Sequence, residues 1–559
     1  MITGRNRRAQ PGVATGASAH QAGDERASAG AATRLWHLVA EIGLLAVLAA
    51  VYLGFALAVR GSHSFSGDEP HYLAFTQSLW LYHTIDQHNV LYNHDFFVYF
   101  DHIMSSHSVH RGEHLYPLHY AGLPILLLPG FALAGAAGTQ VTLVLIAVAV
   151  CWRSYRLCVR VAGTGAALVA VGTLGLSAPF ILSAGAVYPD FLSGLLIILA
   201  FEMLLWPGLT RRRAIALGVV LALCPWVHVK LLLVVALYLL WASHRLWRQA
   251  RAVPSSAGHW NGRARVRAAA VDLGAPVSPR AGLNGWALRP GSRDAWPAAG
   301  VRAGAHVGAM PSTGALAAWT FGLPLVSLAA LMVYNAIYYG SPSPAAPYSG
   351  ATLFTGNPLG GAIGQLLAQG QGALGTAPIF LLVMPGAIVL WRCNRALATA
   401  IAYVTLPFWL ATLTYRDWWG GDAPPLRYLL PVLPLWAAAL AALVASLRTW
   451  MARVAVAAMA SITLVLSAMI LVAPRLGWPL PHGSGALVLA LGDHLQLPLT
   501  TWLPAFEPLR EGPGIWHQPL LAALWAAALS AVWLGLALWE QRVAPEATLY
   551  YRQRRASPS

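Results

Sequence analysis

The chain has 559 residues, of which 57% are hydrophobic and only 10% charged, with a mean hydropathy of +0.57. Soluble domains carry about a quarter charged residues, so these proportions exclude an ordinary soluble fold and predict an all-α, polytopic transmembrane helical bundle. A formal net charge of +16 would suit nucleic acid, but the arginines lie in tails and loops between apolar runs, the pattern of cytoplasmic loops, so no nucleic-acid partner is expected.

Residues 1–37 are polar, rich in small residues and carry Arg5, Arg7, Arg8, Arg26 and Arg34. They read as a disordered cytoplasmic N-terminus without a cleavable signal. Twelve apolar runs follow, near 38–59, 139–158, 163–182, 189–207, 214–228, 230–247, 315–336, 377–391, 397–414, 427–447, 454–473 and 519–540. A thirteenth, "YPLHYAGLPILLLPGFALAG" (116–135), contains Pro117, Pro124 and Pro129. Counting it as a crossing would send most arginine-rich loops outside, so it is expected to be re-entrant or interfacial. The result is a core at 38–243, with a large first extracytoplasmic loop at 60–118 carrying interfacial helices, and a C-terminal membrane part at 314–540. Between them, 244–313 reads as a disordered Arg-rich cytoplasmic insert, and 541–559 as a cytoplasmic tail. The four cysteines fall in or beside apolar runs without metal-ligand spacing.

Polarity gathers on the outer face. In "SGDEPHYL" (66–73), Asp68 or Glu69 ahead of Pro70 makes a good helix start. Tyr72, Phe75, Leu79 and Tyr82 then recur at helical spacing, predicting an amphipathic helix against the membrane surface. Capping explains one acid but not two; Asp68 can also serve as general base towards an acceptor hydroxyl, with Glu69 orienting it. Ten of the 19 histidines lie between His63 and His119 without a zinc-like spacing. His71, Glu69 and Glu113 are candidate ligands of a divalent cation. In "VYPD" (187–190), Asp190 opens a span at the outer face and is a second candidate catalytic acid. Lys230, the only lysine, lies in an apolar run beside His228, where an unpaired charge costs a few kcal/mol. Lys230 and His228 are candidate contacts for a lipid phosphate. In "YRDWWGGDAPPLRYLLPVLPL" (415–435), Trp418 and Trp419 suit an interfacial belt and are candidate substrate contacts, and Arg427 calls for an anionic partner. No Walker loop, dinucleotide fingerprint or HExxH pattern is present.

These stretches, with "EHLYPLHYAGLPILLLP" (113–129), "PWVHVK" (225–230) and "YGSPSPAAPY" (339–348), run in order over residues 38–450. Together they resemble the GT-C superfamily of membrane glycosyltransferases, in particular bacterial relatives of protein O-mannosyltransferases and lipid A aminoarabinose transferases. The resemblance implies a helical bundle whose first outer loop carries short helices. It also implies a polyprenyl-phosphate-linked sugar donor used on the extracytoplasmic side; the arginine-heavy, lysine-poor composition suggests a GC-rich bacterial genome and so the inner membrane. The resemblance implies Asp68 as base, with Glu69 and Glu113 lining the site or holding a cation, Asp190 facing the cavity, and Lys230 and Arg427 on phosphate. The acceptor is a glycan, a lipid or a protein. The alternative reading is a transporter or flippase of lipid-linked intermediates, which would place ionisable residues along a mid-membrane path.

Overall fold

The computed structural model describes residues 16–62, 65–104, 107–206, 208–251, 312–348, 356–415, 417–421, 423–478, 485–505 and 517–543. The chain divides into two compact units, residues 1–44 with 278–308, and residues 45–277 with 309–559. The described part of the first unit is helical. The expected insert at 244–313 falls almost wholly outside the described residues, as does the tail from 544.

The second unit is the helical body. Its elements are the C-terminal part of α1 (Gly16–Ser62), α2 (Glu69–Leu81), α3 (His88–Tyr92), β1 (Ser108–Arg111) and β2 (His114–Pro117). Next come α4 (Gly122–Ala162), α5 (Thr164–Gly175), α6 (Ala178–Ala184), α7 (Asp190–Leu205), α8 (Arg211–Val227) and α9 (Leu231–Arg251). The remaining long helices are α10 (Thr313–Tyr339), α11 (Val383–Cys393), α12 (Arg395–Leu413), α13 (Leu433–Ser446), α14 (Trp450–Val472) and α15 (His517–Val543). All twelve apolar runs are therefore helical. By length and composition seven helices can cross a membrane, or eight if the bent pair α5–α6 is one span. The first helix begins at Gly16, so part of the segment expected to be disordered is helical.

The segment at 116–135 runs from the end of β2 into α4, which accommodates Pro129 and breaks beyond it, at Ala134 (φ −149°) and Gly135 (φ +57°). Gly130 and Gly138 nevertheless lie backbone to backbone, close enough that a Cβ on either would collide with the other. In a straight helix eight residues are about 12 Å apart, so the chain must double back. Residues 122–133 and 136–162 thus form a helical hairpin, closed by glycine at the contact.

One expectation is corrected. Helix α2 does not lie half-exposed on a surface: Glu69 through Ser78 are all buried. Its polar face is satisfied internally. Gln77 Nε2 donates to Asp95 O (3.0 Å), Tyr99 Oη donates to Gln77 Oε1 (2.9 Å), and Ser78 Oγ donates to the carbonyls of Thr84 and Asp86. Helical periodicity locates the helix, but a polar face can be turned either to water or to a folded loop, and here the rest of the first loop covers it. The single sheet among the described residues is the antiparallel hairpin β1–β2, pairing Ser108 with Pro117 and Arg111 with His114. Gly112 opens its two-residue turn at φ +62°, where glycine carries no steric cost. Arg111 and Pro117 tie the hairpin to the end of α10 through Ile337 O (2.9 Å) and Tyr339 Oη (2.8 Å).

Candidate active site

Four charged side chains from four distant parts of the sequence meet in one chain of ion pairs. Asp68 Oδ2 accepts from Arg427 Nη2 at 2.7 Å. Arg427 Nε donates to Asp190 Oδ2 at 3.2 Å, and Lys230 Nζ donates to Asp190 Oδ1 at 2.5 Å. Two acids and two bases balance, which is what makes their burial tolerable.

Local structure explains each position. Asp68 stands at the N-cap of α2 but its side chain does not cap; it turns to Arg427 instead. Glu69 does the local work. Its Oε2 accepts the Ser66 amide (3.1 Å) and its Oε1 the Val187 amide (2.7 Å), clamping the start of α2 to the "VYPD" loop. Tyr188 Oη adds a bond to Ser66 O (2.9 Å). Asp190 is then the first residue of α7, where the positive end of the helix favours a carboxylate. Lys230 sits in the turn between α8 and α9, its backbone N–H donating to His228 Nδ1 (3.1 Å). Arg427 lies in the run of turns before α13, its guanidinium 3.9 Å from the Tyr188 ring centroid. That stacking fixes the fork between its two carboxylates.

Exposure separates the two acids. The Asp190 side chain is 2% exposed with both oxygens engaged, whereas Asp68 is 27% exposed. Asp68 Oδ2 is held by Arg427, and Oδ1 faces His107 Nδ1 and His119 Nε2, each at 4.0 Å. Sequence reasoning passed over both histidines as site residues. The hairpin brings them together: Leu118 N donates to His107 O (3.1 Å), extending the pairing just beyond β1 and β2. His119 stacks on Tyr72 (centroids 4.1 Å apart) and His107 on His71 (4.0 Å).

Burial raises the Asp68 pKa, but the Arg427 guanidinium, by its charge and its hydrogen bond, outweighs it and holds the carboxyl well below its usual range. Glu69 shows the reverse balance. Burial pushes it up to about 7 despite its amide bonds. Burial also lowers His71 to about 3 and His119 to about 4, keeping both neutral.

Of the remaining sequence candidates, His228 is half-buried beside Lys230, with its ring 6.5 Å from Tyr348. Trp418 is buried against Gly364 and accepts from Gln365 through its carbonyl (3.3 Å), which is a packing role. Trp419 meets it edge-on at 5.8 Å. Glu113 is not brought to the cluster; it is exposed in the hairpin turn. His71 is present as the stacking partner of His107 rather than as a member of the donor cluster around Asp68.

No protein family and no curated protein matches the sequence. Among solved structures, the chain is similar to the archaeal oligosaccharyltransferase AglB from Archaeoglobus fulgidus in complex with an inhibitory peptide and a dolichol-phosphate. The identity is 13% and the TM-score 0.40, over 86% of this chain and 61% of that one. It is likewise similar to the Archaeoglobus fulgidus oligosaccharyltransferase in the apo form, at 13% identity and a TM-score of 0.39, over 85% of this chain and 61% of that one. The chain thus spans about 61% of the length of each.

Proposed function

We propose that this protein is a membrane glycosyltransferase that moves a sugar from a polyprenyl-phosphate carrier to an acceptor hydroxyl on the extracytoplasmic side. The observation that carries the reading is the placement of Asp68: a partly exposed carboxylate on the same guanidinium as a buried Asp190–Lys230 pair. A base and two cations within one site are what glycosyl transfer from a phosphate needs. Asp68 removes the acceptor proton as the oxygen attacks the anomeric carbon. The carbon–phosphate oxygen bond breaks with oxocarbenium-like character, and the leaving phosphate takes the electron pair. Arg427 and Lys230 balance the charge that develops on it, so no general acid is required. A single displacement inverts the anomeric configuration. Asp190, sequestered by both cations, positions them and does not touch substrate.

Transport is less well supported. Between Asp190 and Glu202, helix α7 carries no ionisable residue, so its two ends are not joined by a charged path. The test is done in detergent, where there is no second compartment to transport into. Purified protein is given a polyprenyl-phosphate-linked sugar and hydroxyl acceptors. The expected outcome is free polyprenyl phosphate and an inverted glycoside, both absent with Asp68→Asn. A donor that stays intact with the wild-type chain across a panel of acceptors sinks the reading.

A further inference from the structure

The C-terminal end of α7 is rich in arginine. Residues 153–160 of α4 and 202–213, which run from α7 into α8, hold six arginines and one acid, Glu202. The three helices pack against one another. Glu202 answers Arg153 and, at 3.7 Å, Arg160. The group as a whole keeps a large positive excess, at the end of a helix long and apolar enough to cross a membrane. We infer that this end binds the phosphate headgroup of one anionic phospholipid, held by Arg156, Arg160 and Arg213, with its acyl chains along α4.

Three observations carry this. First, Arg160 and Arg213 come from different helices, yet their guanidiniums lie 5.0 and 5.8 Å from the centroid of one indole ring, that of Trp206. Trp206 is itself pinned: Arg245 of α9 donates to the carbonyls of Leu204 (2.9 Å), Leu205 (3.4 Å) and Trp206. Two planar forks held on one ring suit recognition of a phosphate. Second, Arg153, Arg156 and Arg160 are spaced so that they share one face of α4. Like charges at such spacing repel, and an anion set against that face relieves the repulsion.

The third observation selects a lipid over a free anion. Helix α4 turns an apolar stripe outward: Val141, Leu145 and Trp152 are exposed, while Val144, Ala147 and Cys151 are buried. Four residues beyond Trp152 the same stripe reaches Arg156, which is half-buried. From Leu145 to Arg156 the helix rises about 16 Å, close to half the ~30 Å hydrocarbon thickness of a bilayer. An acyl chain lying on the stripe would bring its headgroup to the arginines, with Trp152 at the boundary between them. A free phosphate would leave the stripe unused. The site stands apart from the Asp68–Lys230 chain, since Glu202 lies about 18 Å along α7 from Asp190, and it does not rest on the proposed function.

The full-length chain, purified in detergent and delipidated, is titrated with phosphatidylglycerol or phosphatidylcholine, and native mass spectrometry counts the lipids each chain retains. One phosphatidylglycerol is expected to bind about tenfold or more tighter than phosphatidylcholine, and to be weakened about tenfold by Arg156→Ala and by Arg213→Ala. These two positions are chosen because Arg153 and Arg160 also hold Glu202. Arg156→Lys, which keeps the charge, restores part of the affinity. Arg211→Ala and Arg212→Ala, which remove exposed arginines of the same end, leave it unchanged. Arg213 lies on a separate helix, so the test stands if Arg156→Ala fails to fold. Equal retention of the two lipids overturns the inference. So does equal weakening by Arg211→Ala and Arg212→Ala, which would mean diffuse charge alone. Displacement of the lipid by excess inorganic phosphate also overturns it, since the site would then read a free anion.

Discussion

Helix α7 carries a buried carboxylate near each end, and the two keep different company. At the C-terminal end Glu202, 4% exposed, lies between Arg153 and Arg160 of α4. Both arginines lie on the edge of a basic region that includes Arg156 and Arg211–Arg213, as expected of a cytoplasmic boundary. At the N-terminal end Asp190 is as buried, but its partner Arg427 is shared with a second acid that is partly exposed. Both clusters are ion pairs within a helical body. The cluster at the C-terminal end is closed around a single acid and holds α4 to α7. The one at the N-terminal end passes its charge on to Asp68, which keeps one oxygen available. The proposed role of Asp68 as a base rests on that spare oxygen and its 27% exposure, not on the number of salt bridges.

Breaking each cluster in turn tests this contrast. The largest effect is expected for Arg427→Gln, which leaves Asp190 with Lys230 alone and removes the partner of Asp68. Losing one member of a buried pair costs about 3–5 kcal/mol, so the yield of folded protein falls and transfer disappears. Size-exclusion profiles and thermal unfolding measure the first, and donor consumption the second.

Glu202→Gln separates the two ends. It should destabilise the chain by about 1–3 kcal/mol yet leave transfer per folded molecule unchanged. A transfer rate that falls along with stability, after correction for folded protein, would mean that the two ends are coupled.

A smaller effect concerns Glu69. Its pKa is raised from 4.5 unfolded to about 7 folded, so folding takes up a proton between those values. Its stabilisation is complete below pH 4.5 and is lost as pH rises through about 7. The melting temperature of the wild type relative to Glu69→Gln should therefore fall between pH 5 and pH 7.5. An unchanged difference over that window would show that the clamp to Val187 is insensitive to charge. The smallest effect is expected for Glu113→Gln, exposed in the hairpin turn: no measurable change in stability or transfer.

How much of this was legible beforehand follows the range of the interactions. All twelve apolar runs became helices because burial in lipid or in the bundle leaves a local, periodic mark on sequence. The acid pair, Asp190, Lys230 and Arg427 were also legible, because a charge in an apolar setting has to be answered by another. Which charge answers which was not legible. Asp68 and Arg427 are 359 residues apart, and nothing in either segment names the other. His107 and His119 were hidden among eight other histidines of the same region, and only the hairpin singles them out. That hairpin did leave a signal in "SVHRGEHLYP" (108–117): two short runs with β-branched and aromatic residues around a glycine at the turn. Read as a hairpin, it would have placed residues 107 and 119 near each other. The burial of α2 had no such signal, since its polar residues are satisfied by a loop that composition alone does not fold.

The most direct test compares Asp68→Asn with Glu202→Gln for sugar transfer from a polyprenyl-phosphate donor, in the same membranes and normalised to folded protein. The account predicts that Asp68→Asn inserts normally and loses transfer by about 100-fold or more, the usual worth of a general base, while Glu202→Gln transfers at the wild-type rate. Normal transfer by a folded Asp68→Asn chain would contradict it.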